Sequence, residues 1–505
     1  MTPGLSPHPA PRRALRRQTS ARRRPTVAIA LTLSLATSTL ALLGASSGAS
    51  GSSPADSTVT ASQTTASTVA AAAPAVLKAA PQAKKKKKKK WAQWTPPTGA
   101  AFNLPRSSYA QEYRLEARVI DAINHARRGS MIRMAMFSFD RQPVADALIR
   151  AYKKRKVTVQ VIINGHEKPG AQADLQRVLG PRWKKRKKNK SNSFYYQCTS
   201  SCRGDFDVQH SKFVLFSHTG AAKRVVMIGS LNMKENGAVN QFNDLLTINQ
   251  PGGMYDSLEQ TFKEMRADKV MKNSYKAETF GRYQLYTLPF PRAKATAKTQ
   301  WLWRRDPIKK ILGPITCRGP GGGRTVIRVD MHAWSDDRGV RIANRLRDLY
   351  AEGCDVKIMI GYANGVIQRV FGARTARGFV PVRSTGFDTP DSNGDYDGEI
   401  DLYSHAKILT INGIYEGKRN RRIIVTGSSN YQAGGQYGDE LILKVDSARL
   451  YNQYLAHWNN TYRNHTHGFH FNGGTWKVQP DGRRSFAYDD TWGGLGIDSP
   501  EWRDE

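Results

Sequence analysis

The sequence predicts an α/β fold of two pseudo-twofold-related halves, each a mixed sheet flanked by helices. Three observations predict it. A strand–helix–strand pattern occurs twice, and its elements recur at an offset of 194–199 residues. Its strands are short apolar runs separated by amphipathic helices, the pattern of sheets covered on their faces. A third element also appears in each copy: His-x-Lys leading an apolar run, then a second run closing on Gly-Ser-x-Asn. The two histidines are 195 residues apart, in step with the scaffold.

Taken in order, residues 1–49 read as a secretion signal. Arginines from Arg12 to Arg24 form a charged lead, Val27 to Leu43 is apolar, and Ser47-Gly48-Ala49 offers a cleavage site. The arginine cluster fits either general or twin-arginine export. Residues 50–98 read as a disordered Ala/Ser/Thr/Pro linker carrying the run Lys84 to Lys90. The first half is set at 99–300. Within it Gln111 to Arg128 is predicted helical, Met131 to Phe139 a strand, Val144 to Lys154 a helix and Val157 to Ile163 a strand. The second half is set at 301–505, with Pro, Lys and Gly interrupting the pattern over 290–325. Val326 to Trp334 is its first strand, Val340 to Ala351 its helix and Val356 to Ile360 its second strand.

The formal charge is +37, and the seven arginines of residues 1–50 leave with any signal. The remainder stays basic and favours anionic partners: phosphate esters, nucleic acid or an acidic membrane surface. In an exported chain the four cysteines are expected to pair, Cys198 with Cys202 in a tight loop and Cys317 with Cys354 in the second half.

The chemistry sits in the third element. In the first half it reads Val208-Gln-His210-Ser-Lys212, then Gly229-Ser230-Leu-Asn232. In the second it reads Leu402-Tyr-Ser-His405-Ala-Lys407, then Gly427-Ser428-Ser-Asn430. Residues i and i+2 of a strand point to one side, so His and Lys of each pair are expected to project together. Lys212, Lys407, Ser230, Asn232, Ser428 and Asn430 are then candidate phosphate ligands. Of the two imidazoles, one attacks phosphorus, and the other protonates the leaving alcohol and activates water. The lysines supply the positive charge, so neither metal nor cofactor is expected. Asn243-Asp244-Leu-Leu parallels Asp439-Glu440-Leu-Ile, and Asp244 and Glu440 are read as acids that fix the histidine tautomers.

These residues resemble the phospholipase D superfamily, whose signature is His-x-Lys-x4-Asp followed by Gly-Ser-x-Asn. The resemblance covers roughly residues 105–465 and fits a secreted bacterial type. It implies a duplicated α/β fold, a phosphohistidine intermediate, and hydrolysis or transfer of phosphodiesters. His210 is favoured as nucleophile and His405 as acid/base. The sequence departs from the signature where the Asp is expected, with Ser217 and Asn412 in its place. In the family that Asp is mainly structural; its loss weakens the case for phosphatidylcholine-type specificity.

Other features carry less. Arg182 to Lys190 is an intensely basic stretch suited to a nucleic-acid backbone, anionic head groups or plain solvent. Asp391 to Glu399 is oxygen-rich but lacks EF-hand spacing, and is read as a polar loop. His465, His467 and His470 are read as flanking the pocket rather than holding metal. Trp301, Trp303, Trp334, Trp458, Tyr403 and Tyr431 are read as core or rim residues. The expected activity is a secreted, monomeric phosphodiesterase acting on phospholipid. The alternatives are an extracellular endonuclease of the same superfamily, or a catalytically weakened binder of anionic surfaces.

Overall fold

Side chains alternate across the central strands, and this alternation builds the layers. In β2 (Met131–Met136) of the first sheet, Ile132, Met134 and Met136 enter one core while Ala135 enters another. The computed structural model describes residues 93–166, 170–181, 192–204, 208–290, 303–319, 322–390 and 400–469, with the backbone of 476–478 and 484–486. The signal, residues 50–92 with the lysine run, Arg182 to Lys190, Asp391 to Glu399, Trp301 and His470 lie outside the described residues, whereas residues 93–98 of the expected linker pack on the first half, with Trp94 stacked on His125.

The first sheet starts with β1 (Gly99–Phe102) and continues through β2, β3 (Thr158–Asn164), β4 (Phe194–Cys198), β5 (Phe213–Thr219) and β6 (Ala222–Gly229). It closes, after the two-residue β7 (Gln241–Phe242), with β8 (Asp244–Asn249). Its order is β1-β8-β6-β5-β2-β3-β4. The run β2-β3-β4 is parallel and the other pairings are antiparallel.

The second sheet holds β9 (Lys276–Phe280), β10 (Tyr283–Thr287), β12 (Val326–Trp334), β13 (Asp355–Ala363), β14 (Val382–Ser384), β17 (Lys407–Tyr415), β18 (Lys418–Gly427), β19 (Leu441–Asp446) and β20 (His467–Gly468). β11 (Ile315–Thr316) pairs with β17 off its edge, and β15 (Phe387–Asp388) and β16 (Tyr403–Ser404) lie in the connection to β17. The inner run β10-β19-β18-β17-β12-β13-β14 repeats the first sheet strand for strand, with the same parallel and antiparallel senses. The duplication read from the sequence is therefore a duplication of sheet topology. The β9–β10 hairpin precedes residue 300 yet joins the second sheet.

Each sheet has its own outer core beneath helices, such as Gln142–Arg155 in the first half and Asp336–Ala351 in the second. A third core lies between the sheets. It draws Ala135, Phe213, Leu215 and Ile228 from the first and Ala406, Ile408, Ile424 and Leu443 from the second. Two-residue strands tie the halves together, β7 pairing with β16 in parallel.

The elements match their predictions closely, with three differences. The helix expected over Gln111–Arg128 breaks at Tyr113 into Tyr109–Glu112 and Arg114–Asn124. The strand expected to reach Phe139 stops at Met136. His210 and His405 are not inside strands but in the extended segments that enter β5 and β17. Both expected disulfides are present, Cys198–Cys202 at the end of β4 and Cys317–Cys354 beside the start of β13. Among the described residues no helix is long and apolar enough to cross a membrane.

Candidate active site

The histidine of each His-x-Lys element is fixed by the other half of the chain. The His210 N–H donates to the carbonyl of Asp439 at 3.0 Å, and the His405 N–H donates to the carbonyl of Phe242 at 3.0 Å. The side chains repeat the exchange. His210 Nδ1 lies 2.7 Å from Glu440 Oε1, and His405 Nδ1 lies 2.8 Å from Asn243 Oδ1. Both rings are buried, as are Lys212 and Lys407. The two half-sites thus form one constellation across the contact between the halves.

These bonds settle the tautomers. An ionised carboxylate only accepts, so His210 Nδ1 carries the proton. Asn243 Nδ2 donates to the Gly237 carbonyl at 3.0 Å, and the Ser230 hydroxyl donates to Asn243 Oδ1 at 2.8 Å. The amide oxygen therefore faces His405, whose Nδ1 is also the donor. In each neutral ring Nε2 then carries no proton.

The acid pairing differs from the sequence expectation by one residue. The Ser230 N–H donates to the Asp244 carbonyl, and its hydroxyl accepts from the Asp244 N–H. In the second half Ser428 makes the same two bonds with Leu441. Asn243 is thus the counterpart of Glu440, and Asp244 the counterpart of Leu441. Asp244 turns into the contact between the halves, where Thr426 and Tyr454 donate to its Oδ2. Burial pushes its carboxyl up from the usual range, against those hydrogen bonds. The two Asn/Asp-Asp/Glu stretches look alike in sequence, and only the strand register separates them.

Ser230 and Ser428 also differ from their expected role as phosphate ligands. Their hydroxyls donate to Asn243 and Glu440, so they orient the histidine partners. The glycines before them are required by close approach rather than by a sharp turn. A Cβ on Gly229 would sit 2.2 Å from the Asp244 carbonyl oxygen, and one on Gly427 2.1 Å from that of Leu441.

Lys212 and Lys407 each donate Nζ to the carbonyl of the histidine two residues before, at 2.8 Å. Asn232 is buried, and its amide makes no hydrogen bond among the described residues; the same holds for Asn430 Oδ1. Two ammonium groups and two side-chain amides are a donor set for the non-bridging oxygens of a phosphodiester.

The electrostatics are not symmetric. His210 faces a carboxylate and His405 an amide. Burial pushes the Glu440 carboxyl up, but the His210 ring, the Lys212 ammonium and the Ser428 hydroxyl outweigh it and hold it below the usual glutamate value.

Two rings complete the surroundings. Phe137 packs edge-on against His210 with centroids 4.8 Å apart, and His332, its counterpart on β12, lies 4.8 Å from His405. His332 also stacks on Tyr403 at 5.1 Å, and His166 stacks on Phe137 at 4.4 Å. The sequence reading missed His166 and His332. The available signal was position, since each follows or ends a predicted strand on the side of the His-x-Lys elements. Trp334, Trp458 and Tyr431 are core residues. His467 Nε2 bonds the Gly386 carbonyl at 2.7 Å, and among the described residues no cluster suited to a metal ion occurs.

Ser217 and Asn412 lie about 17 Å along their strands from Lys212 and Lys407, at roughly 3.4 Å per residue. The Ser217 hydroxyl accepts the Met131 N–H at 2.8 Å. Ser217→Ala should therefore cost about 1 kcal/mol of stability in a thermal or denaturant melt and leave kcat unchanged. A large loss of kcat would place this position in the catalytic machinery.

Residues 119–266 match the family model described as cardiolipin synthase, PLD-like domain. No curated protein matches the chain. Among solved structures, phosphatidylserine synthase from Haemophilus influenzae is similar at 13% identity and a TM-score of 0.45, over 76% of this chain and 91% of that one. Polyphosphate kinase from Porphyromonas gingivalis is similar at 14% identity and a TM-score of 0.43, over 72% of this chain and 50% of that one. The chain thus spans about half the length of that kinase. Nuc from Salmonella typhimurium, a phospholipase D family member, is similar at 20% identity and a TM-score of 0.25, over 34% of this chain and 95% of that one.

Proposed function

We propose that this chain, whose residues 119–266 match a PLD-like family model, is a phosphodiesterase of the phospholipase D type that hydrolyses phospholipid phosphodiesters through a covalent phosphohistidine on His210. One observation carries the assignment of roles: His210 is held by a carboxylate, Glu440, and His405 by an amide, Asn243. When Nε2 bonds phosphorus, the ring becomes cationic while Nδ1 keeps its proton. A carboxylate at Nδ1 stabilises that cation; a neutral amide does so far less.

In the first step His210 Nε2 forms the P–N bond and the bond from phosphorus to the head-group oxygen breaks. His405, entering this step as the imidazolium with a proton on each nitrogen, gives its Nε2 proton to that oxygen and keeps the one on Nδ1. In the second step His405 takes a proton from water, the water oxygen bonds phosphorus, and the P–N bond breaks. Phosphatidic acid leaves and His210 is restored. Lys212, Lys407, Asn232 and Asn430 hold the non-bridging oxygens throughout.

Phospholipid is favoured by the lipid-synthase family model that the first half matches, and by a basic exported chain suited to anionic surfaces. The same +37 charge favours the nuclease alternative. The deciding measurement offers phosphatidylcholine and phosphatidylglycerol vesicles beside plasmid DNA to the protein lacking residues 1–49, all in chelator. Head-group release that disappears in His210→Ala and His405→Ala is the expected result. Cleavage of DNA alone, steeply reduced by salt, would move the assignment to a nuclease. No turnover of either substrate would leave an anionic-surface binder.

A further inference from the structure

Arg203 plays no part in the chemistry above, yet it is almost wholly buried at 1% exposure and its guanidinium is fully engaged. Nε donates to Asp439 Oδ1 at 2.7 Å. Nη1 donates to Glu264 at 3.3 Å and to the Ser274 carbonyl at 3.0 Å. Nη2 donates to the Leu288 carbonyl. Asp439 is gripped a second time by the same loop, through the Ser201 hydroxyl at 2.8 Å and the Arg203 N–H at 3.2 Å, both on Oδ2. The Cys198–Cys202 disulfide anchors this loop to the end of β4.

Asp439 is next to Glu440, and its own main chain meets the catalytic segment. Its carbonyl accepts from the His210 N–H at 3.0 Å, and its N–H donates to the Val208 carbonyl at 2.9 Å. Leu288, whose carbonyl Arg203 holds, donates its N–H to the Glu440 carbonyl at 3.0 Å. A closed ring of hydrogen bonds therefore runs from Arg203 through Asp439 and Glu440 to Leu288 and back. Among the described residues the other half has no such device: the residue whose carbonyl holds His405 is Phe242, which has no side-chain acceptor. The clamp acts only on the half-site with the carboxylate.

We propose that Arg203 is a positioning residue for the phosphodiester reaction, which with Ser201 fixes Asp439 and thereby sets Glu440 against His210. This rests on the reading that His210 is the residue phosphorylated. Arginine is needed because its planar fork reaches Asp439, Glu264 and two carbonyls at once; lysine offers one point charge in place of that fork. A displacement of about 1 Å in a catalytic pair can cost on the order of 100-fold in rate.

The experiment compares the wild type, Arg203→Lys, Ser201→Ala and Glu440→Gln on a p-nitrophenyl phosphodiester, with active sites titrated by the burst of nitrophenol. Far-UV circular dichroism and melting curves establish folding. Arg203→Lys should lower kcat per active site by about 10- to 100-fold with KM changed little, and Ser201→Ala by a few-fold. The acid limb of the pH profile should also shift. Glu440 is held low partly by its alignment with His210; misaligned, it is left to burial, and activity falls at higher pH than in the wild type. A residue that only stabilises the fold would lower the melting temperature and the number of active sites, and leave kcat per site and the acid limb in place. That outcome overturns the proposal. Should Arg203→Lys not fold, Ser201→Ala removes two hydrogen bonds, one to Asp439 and one from the Gly204 N–H, and no charge, and decides by the same two readouts. Absence of a burst in the wild type, or full activity in Glu440→Gln, would instead overturn the underlying assignment of His210.

Discussion

Alanine at His405 should leave one fast turnover of an activated substrate and then stop, whereas alanine at His210 should abolish even the first. The argument is one of leaving groups. Nitrophenolate departs from phosphorus without a proton, so an activated diester needs no general acid for the first step. His405→Ala therefore still forms the P–N bond at His210 and releases about one equivalent of nitrophenol. The second step needs a base for water, and without it the phosphoryl group stays on His210. Mass spectrometry should find it there, on a bond that acid cleaves. With a natural alcohol as leaving group both steps need His405, and kcat should fall by about 100- to 10,000-fold. His210→Ala removes the nucleophile and should lose at least as much on both substrates, with no burst on either. A burst in His210→Ala, with the adduct on His405, would exchange the two roles and cut the link between Glu440 and nucleophilicity.

The asymmetry behind this experiment was not legible in the sequence. His210, Lys212, His405 and Lys407 were, because side chains on neighbouring positions of an extended segment need only local spacing to be recognised. That the two halves share one sheet topology follows from the repeat as well. What failed was the assignment of partners between the halves. Asp244 and Glu440 occupy matched places in two similar stretches, but β8 and β19 start one residue out of step relative to their serines, so the first half presents Asn243. Such a slip turns a side chain to the opposite face of a sheet and changes no local propensity. The roles of Ser230 and Ser428 were misread for the same reason. A hydroxyl two residues before a candidate phosphate-binding asparagine suggests a ligand, and only the fold shows Asn243 and Glu440 taking its hydrogen bond. Arg203 gave no signal at all. It stands between a cysteine and a glycine, and its partners Asp439, Glu264 and Leu288 are 61 to 236 residues away.

Asp330→Asn should raise the melting temperature clearly at pH 8 and much less at pH 5. Asp330 sits on β12 opposite Ile408, and its counterpart in the first sheet is Ala135, a residue of the core between the sheets. It is fully buried, and its oxygens make no hydrogen bond of regular geometry among the described residues. Burial pushes its carboxyl up to about 7; the Ser404 hydroxyl pulls it down, the neighbouring Asp244 raises it further and Lys407 opposes that. A carboxyl whose folded value lies above its unfolded value binds protons more tightly in the native state. Its stabilising contribution is complete below the unfolded value and is lost as pH rises through the folded one. The loss should thus run between about pH 4 and pH 7, and amount to about 3 kcal/mol between pH 5 and pH 8. Asparagine keeps the shape and removes the charge, so it recovers that loss at pH 8, as a gain of several degrees. At pH 5 the native carboxyl is neutral but the unfolded one is already ionised, so about 1.5 kcal/mol remains to recover, roughly a third of the gain at pH 8. Equal shifts at both pH values would show that Asp330 stays ionised in the fold, held by Lys407, and the substitution should then lower activity by disturbing that lysine instead.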